Sequence, residues 1–127
     1  AALGLANLED FSKILKRRRK IATHYRNVLK NVAGLKLLDY KNDRESAYWL
    51  FTILVDNRVN FIKKLKSYGI PTSVVHLRID RNSVFGGFTP NFPNQEKFDQ
   101  NQVSIPIHDA LDDGDVEKIE SVIKSGW

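Results

Sequence analysis

The chain has 127 residues, of which 42% are hydrophobic and 28% charged, with a net charge of +5 and no cysteine. That is one domain's worth of protein, able to build one compact core that buries roughly two-thirds of its unfolded surface. Disulfides, thiolate metal sites and a cysteine nucleophile are excluded, and no apolar run approaches the roughly 18 residues that cross a bilayer. With no signal peptide visible, the sequence reads as a soluble cytoplasmic protein without a membrane partner.

The opening Ala1-Ala2-Leu3-Gly4-Leu5-Ala6 already has the character of helix interior, and no Ser, Thr, Asp or Asn precedes it as an N-cap, so the chain reads as cut from something longer. Leu8, Phe11, Ile14, Leu15, Ile21, Tyr25, Val28, Leu29 and Val32 recur at helical spacings and predict one amphipathic helix over about residues 2–32. Ala33-Gly34 stops it, with Gly34 suited to a left-handed C-terminal cap. The basic run Lys16-Arg17-Arg18-Arg19-Lys20 invites a nucleic-acid reading. Five consecutive helical residues wrap around the axis, however, and no aromatic side chains are interleaved for base stacking. The run therefore reads as helix surface.

Leu35 to Leu38 predicts a short strand, and Asp39 to Glu45 a polar turn. Tyr48 to Val55, rich in aromatic and β-branched residues, is the strongest strand signal. Asp56-Asn57 offers an N-cap for a second helix with Phe61, Ile62, Leu65 and Tyr68 inward and Gly69 at its end. Ile70 to Val75 leads into another predicted strand, followed by an irregular loop from about His76 to Asn94. Loops of that length inside a compact domain are often functional. A short helix over Asn94 to Asn101 follows. Val103 to Ile105 forms a last strand ended by Pro106, and Asp112 caps a closing helix with Val116, Ile119, Val122 and Ile123 inward. The expected fold is α+β, a small and mainly antiparallel sheet with helices packed on one face. The first helix is too long for that sheet to cover, so it docks on a further domain or a partner chain.

The three histidines, His24, His76 and His108, lack metal-ligand spacing. His24 reads as plain surface. If the strand continues through His76-Leu77-Arg78-Ile79-Asp80, then His76, Arg78 and Asp80 share one face. An imidazole, a guanidinium and a carboxylate so placed can grip phosphate or sugar hydroxyls, or Arg78 and Asp80 can simply neutralise each other. Asn82 and Ser83 follow in the loop as further hydrogen-bonding groups, and His108 stands at the polar tip of Ser104 to His108. Glycine-rich phosphate loops, a serine nucleophile elbow and paired catalytic carboxylates are all missing, so the residues present do not form a self-sufficient active site.

Several segments, in order along nearly the whole chain, resemble the DegT/DnrJ/StrS-type nucleotide-sugar aminotransferases. They are Ala1 to Glu9, Arg17-Arg18-Arg19 with Tyr25-Arg26, Tyr48-Trp49-Leu50-Phe51 with Trp49 in place of a family His, Gly69-Ile70-Pro71-Thr72, Val75 to Asp80 with Ile79 in place of an Asn, Ser104 to His108 with Leu111 and Val116, and Ile123 to Trp127. The resemblance implies that residues 1–127 are the small C-terminal domain of a fold-type I aminotransferase. In such enzymes a large-domain lysine carries pyridoxal phosphate as a Schiff base, and an amino group, usually from glutamate, passes to a keto group of a nucleotide-linked sugar. Some relatives of the scaffold run dehydration instead. The implied parent is a homodimer, and the isolated chain is expected to hold no cofactor and to be inactive. Its implied role is closing over the sugar end of the substrate, with His76 and Arg78 foremost among the contacts, Asn82 and Ser83 behind them, and His108 also on the substrate side. A free-standing, non-catalytic α+β module binding a metabolite or nucleic acid stands as the alternative.

Overall fold

The structure, a computed structural model, describes residues 2–127. The elements in chain order are α1 (Ala2–Glu9), α2 (Phe11–Val28), β1 (Leu35–Leu37), β2 (Phe51–Val55), α3 (Arg58–Ser67), α4 (Pro93–Asn101), β3 (Gln102–Ile105) and α5 (Asp113–Lys124). The strands form one antiparallel sheet in the order β1-β2-β3, with Leu35 opposite Val55, Phe51 opposite Ile105 and Ile53 opposite Val103. Because side chains alternate along a strand, this register puts Leu35, Phe51, Ile53, Val55, Val103 and Ile105 on one face. All six are buried, in one cluster with Ile21, Ala22, Tyr25 and Leu29 of the α2 segment, Phe61 and Leu65 of α3, and the four apolar residues expected on α5. An α+β fold with helices packed on one face of a small antiparallel sheet is what the sequence predicts.

Two helix ends show how local chemistry sets the path of the chain. At the end of α3 the Gly69 N–H bonds Lys66 O and the Ile70 N–H bonds Leu65 O, both at 3.0 Å, and Gly69 has φ +73°. This is the paired bonding of a left-handed glycine stop, sealed by the buried Leu65 and Ile70. Ahead of α5, Asp112 accepts from the Asp115 N–H at 2.7 Å while the Asp115 side chain accepts from the Asp112 N–H, a reciprocal cap. At the start of α3 the Asn57 carbonyl takes the first helical bonds, yet its side chain makes no cap bond and its φ is +51°.

The first helix differs from its prediction. It is two helices broken at Asp10, and regular helix ends at Val28 instead of residue 32. No residue of α1 is buried, so no packing holds α1 in line with α2, and Asp is a poor helix former. Beyond Val28, bonds from the N–H groups of Leu29, Val32 and Leu35 to Tyr25, Leu29 and Val32 roll the chain through successive turns into β1. Gly34 therefore closes the turn into β1 rather than capping a helix, although its φ of +73° is left-handed as expected.

The predicted strand after Ile70 also fails to form. Only Ser73 pairs with β3, through two backbone bonds to Ser104. Pro71 removes one donor from that edge, and the backbone beyond Val75 is held by side chains instead. Three residues of the basic run on α2 pair within the fold. Arg17 donates to Leu111 O and Asp113, Lys20 reaches Asp113 at 3.1 Å, and Arg19 bonds Ser46 O and Glu45 in another direction. His24, expected as plain surface, lies 2.7 Å from Glu120 of α5.

Trp127 closes the far end, its indole N–H donating to Asp56 O at 2.6 Å and its ring edge-on to Phe61 at 4.9 Å. A Cβ on Gly34 would stand 3.3 Å from that indole. Gly34→Ala is therefore expected to destabilise the fold by about 1–2 kcal/mol, from the left-handed backbone alone with crowding added. The check is the urea midpoint at unchanged slope; an unaltered midpoint overturns the assignment.

Candidate functional site

From Val75 to Phe92 the chain builds almost no apolar core of its own, and its order comes from polar anchors. The first is Gln102 of β3, whose Nε2 donates to His76 O at 2.6 Å. The second is Asp99 of α4, which accepts from the Arg78 N–H at 3.4 Å and pairs with the Arg81 guanidinium. Arg58 of α3 steadies both by donating to Asp99 O and Gln102 O. Asp99 and Gln102 are buried, and a carboxylate out of water is tolerated because Arg81 and a backbone N–H meet it.

Arg78 is the centre of the arrangement. It is only 3% exposed, although arginine is among the residue types almost never fully buried unless paired. Its Nε and Nη2 grip the two oxygens of Asp80 at 2.9 and 2.5 Å, and Nη2 also donates to Thr89 O at 2.9 Å. Glu96 lies 3.7 Å from Nη1, and the Phe88 ring covers the guanidinium at 4.5 Å. The Thr89 N–H returns a bond to Asp80 at 3.0 Å, which joins the start of the loop to its end. A planar fork matched to a carboxylate does this where an ammonium would not. The bond from Arg78, followed by that from Thr89, holds the Asp80 carboxyl below the usual carboxylate range.

Arg78 and Asp80 meet because the chain turns between them, not because they alternate along a strand. Two single-turn 3-10 helices, Ile79–Arg81 and Ser83–Phe85, lie within the irregular loop expected there, and the strand does not continue through it. His76, Asn82 and Ser83 are exposed on this folded loop, and the Asn82 amide is turned back onto Ile79 O at 3.2 Å. An open cleft of about 420 Å³ lies between Arg78, Asp80, Thr89, Phe85 and Phe92. His108 is exposed in a separate, smaller cleft beside Gly69, Pro71 and Lys118. The structure thus gathers four of the five predicted residues into one loop and leaves His108 outside it.

The same geometry adds residues that sequence reasoning missed. Asp99, Gln102 and Thr89 shape the loop, and Trp49, 69% exposed, stands beside His76 with 6.5 Å between ring centroids. A signal existed for Gln102, since it and Ser104 are polar at period two within an otherwise apolar strand. Thr89 acts through its backbone, which leaves no trace in residue type. Among the described residues no group of His, Asp or Glu is disposed to hold a metal ion.

A sequence profile described as the DegT/DnrJ/EryC1/StrS aminotransferase family matches residues 1–124. The chain is 31% identical to an uncharacterized protein, MJ1066, of Methanocaldococcus jannaschii, over 98% of this chain and 35% of that protein. It is 29% identical to the UDP-2-acetamido-2-deoxy-3-oxo-D-glucuronate aminotransferase of Pseudomonas aeruginosa, over 94% of this chain and 33% of the relative. Among solved structures it is similar to the sugar aminotransferase CalS13 of Micromonospora echinospora, with a TM-score of 0.94 and 33% identity over 99% of this chain and 34% of that one. The chain thus spans about a third of the length of the proteins it matches.

Replacing Asp80 by Asn should loosen the loop without unfolding the core. Asp80 has a depressed folded pKa, so its contribution is fully present above the unfolded value near 3.9 and is lost as pH falls through the folded one. Protection of the amides over residues 76–92, taken relative to the unstructured rate at each pH, should therefore hold at pH 5–7 and fall only below about pH 4. In Asp80→Asn it should be low throughout, while protection of β2 and α5 amides is unchanged. Equal protection in the two proteins would refute the clamp.

Proposed function

The chain belongs to the DegT/DnrJ/EryC1/StrS aminotransferase family, and from that premise we propose that it is the C-terminal small domain of a pyridoxal phosphate-dependent enzyme. That enzyme moves an amino group, from glutamate as donor, onto a keto sugar linked to a nucleotide. The observation that carries the reading is the match itself. Nearly all of this chain superimposes on a third of a solved sugar aminotransferase, and a relative named for a UDP-linked 3-oxo sugar aligns over the same span.

The residues present do not fit the cofactor. Pyridoxal phosphate requires a lysine amine that can form a Schiff base away from bulk water. Among the described residues every lysine is exposed except Lys64, which is half-buried with its ammonium 5.3 Å over the Tyr68 ring. In this proposal the lysine and the cofactor belong to the remainder of the parent enzyme, a cytoplasmic homodimer, and the small domain closes over the sugar end of the substrate.

Within that role, His76, Asn82 and Ser83 are the contacts to substrate. They are exposed on one loop and between them present an imidazole, an amide and a hydroxyl, a donor and acceptor set suited to sugar hydroxyls or phosphate oxygens. Arg78, almost wholly buried and held by Asp80 and Thr89 O, sets the shape of the loop that presents them. His108, in its separate cleft, is a more distant contact, if the cleft narrows on closure.

The test uses the complete parent enzyme with glutamate and nucleotide-linked keto hexoses, following transfer of the amino group. Transfer is expected, and none should occur with the isolated 127-residue chain. His76→Ala and Asn82→Ala should each raise KM between about three- and tenfold with little change in kcat, the worth of one hydrogen bond present in ground and transition states alike. Absence of transfer with any keto-sugar nucleotide sinks the function; unchanged KM in both variants sinks the loop's role.

A further inference from the structure

Two independent costs in this fold converge on one surface feature. The first is at Tyr48, which has φ +48°, a left-handed backbone that bulky side chains seldom adopt. The turn is held by the Tyr48 N–H bonding to Ser46 Oγ at 3.0 Å and the Ser46 N–H to Tyr40 Oη at 3.1 Å. It folds the Tyr48 ring inward, stacked on Tyr40 at 5.9 Å and on Phe51 at 6.2 Å. The next residue, Trp49, is left at the surface.

The second cost is at Gln102. A fully buried amide occupies a strand position where an apolar side chain would serve stability better, and its Oε1 has no hydrogen-bond partner. What the amide does achieve is the 2.6 Å bond that fixes the His76 carbonyl. The His76 imidazole lies at 66° to the Trp49 indole, 6.5 Å between ring centroids. The strained turn immediately precedes Trp49 and the buried amide fixes the backbone of His76, so both costs fall beside the same two rings.

We propose that Trp49 and His76 form a ledge on which the planar base of the nucleotide-linked substrate stacks, with the indole as the platform and the imidazole as the polar wall beside it. This rests on the reading of the parent as a sugar-nucleotide enzyme and names the part of the ligand that Trp49 recognises. A broad, exposed indole suits a flat heteroaromatic ring, which has a π-face whatever its substituents. Stacking of this kind accepts more than one pyrimidine, so the indole confers affinity for the base, His76 stands between base and loop, and the choice of sugar is left to Asn82 and Ser83.

The experiment uses the complete parent enzyme with UDP, dTDP and a hexose 1-phosphate that lacks a base, each measured by calorimetry. Trp49→Ala should weaken UDP and dTDP about five- to one-hundredfold, the range that loss of one base–aromatic stack gives. Trp49→Phe should keep most of the affinity, and hexose 1-phosphate should bind Trp49→Ala and the unaltered enzyme alike. UDP should also quench tryptophan emission in the unaltered enzyme by more than in Trp49→Phe. Equal UDP affinity in Trp49→Ala overturns the ledge, as does an equal loss for the base-free probe. So does emission showing Trp49 already buried in the parent with no response to UDP. These readouts do not depend on turnover. If amino transfer proceeds while UDP binding ignores Trp49, the ledge falls and the proposed function stands; if transfer is absent, UDP binding still decides the ledge.

Discussion

The ion pair between Arg78 and Asp80 is the constraint on which the candidate site depends. A stretch of 17 residues between His76 and Phe92 contains Leu77, Ile79, Val84, Phe85, Phe88 and Phe92, yet all six are exposed. Apolar burial, the usual source of order, is therefore nearly unavailable to it. Ordering such a loop costs about 1–2 kcal/mol per residue in backbone entropy, and something directional must offset that. A guanidinium taken out of water and bound by a carboxylate, a carbonyl and an aromatic face supplies direction as well as attraction. Because Asp80 also accepts from Thr89, the pair fastens two points nine residues apart, and the exposed residues between them inherit a defined position.

The sheet is asymmetric for a related reason. One face is a continuous apolar layer under α2, α3 and α5, and it carries the stability of the domain. The alternate positions of β3, Gln102 and Ser104, are polar but buried, with Ser104 bonded to Thr52 Oγ1 at 3.0 Å. Polar groups beneath a loop give up transfer energy and gain geometric selection, since only a loop that presents the right carbonyl satisfies them. The core face holds the scaffold still, and the polar face determines where His76 stands.

This division explains what was legible in the sequence. The core face follows from periodicity. Val116, Ile119, Val122 and Ile123 on α5, the Gly69 stop and the Asp112 cap are all local patterns with local physical causes. The ends of the first helix were not legible, because its break at Asp10 reflects the absence of packing on α1, a tertiary fact. The irregular loop expected from about His76 did form, and the conditional continuation of a strand through His76, Arg78 and Asp80 did not. Its apolar and polar residues do alternate, but side chains from α4 and β3, 20 or more residues away, take the backbone groups a strand would need. The residue types in the loop were identifiable in advance; the exchange of roles that buries Arg78 and exposes His76 was not.

Arg78 shows why residue type alone is a poor guide to which group meets a ligand. An arginine in a functional loop reads as an anion grip because its donors are strong and point outward in most settings. Here Asp80 lies two residues on and a 3-10 turn brings it round, so the donors are consumed internally. The groups left facing solvent, an imidazole, an amide, a hydroxyl and a nearby indole, are individually weaker and mostly uncharged. A site of this kind discriminates by shape and hydrogen-bond direction more than by charge, and it releases its ligand without having to break a buried ion pair. That would suit the proposed part of closing on a substrate and opening again, in which the strong interaction would stay inside the loop and only the weaker ones would be made and lost.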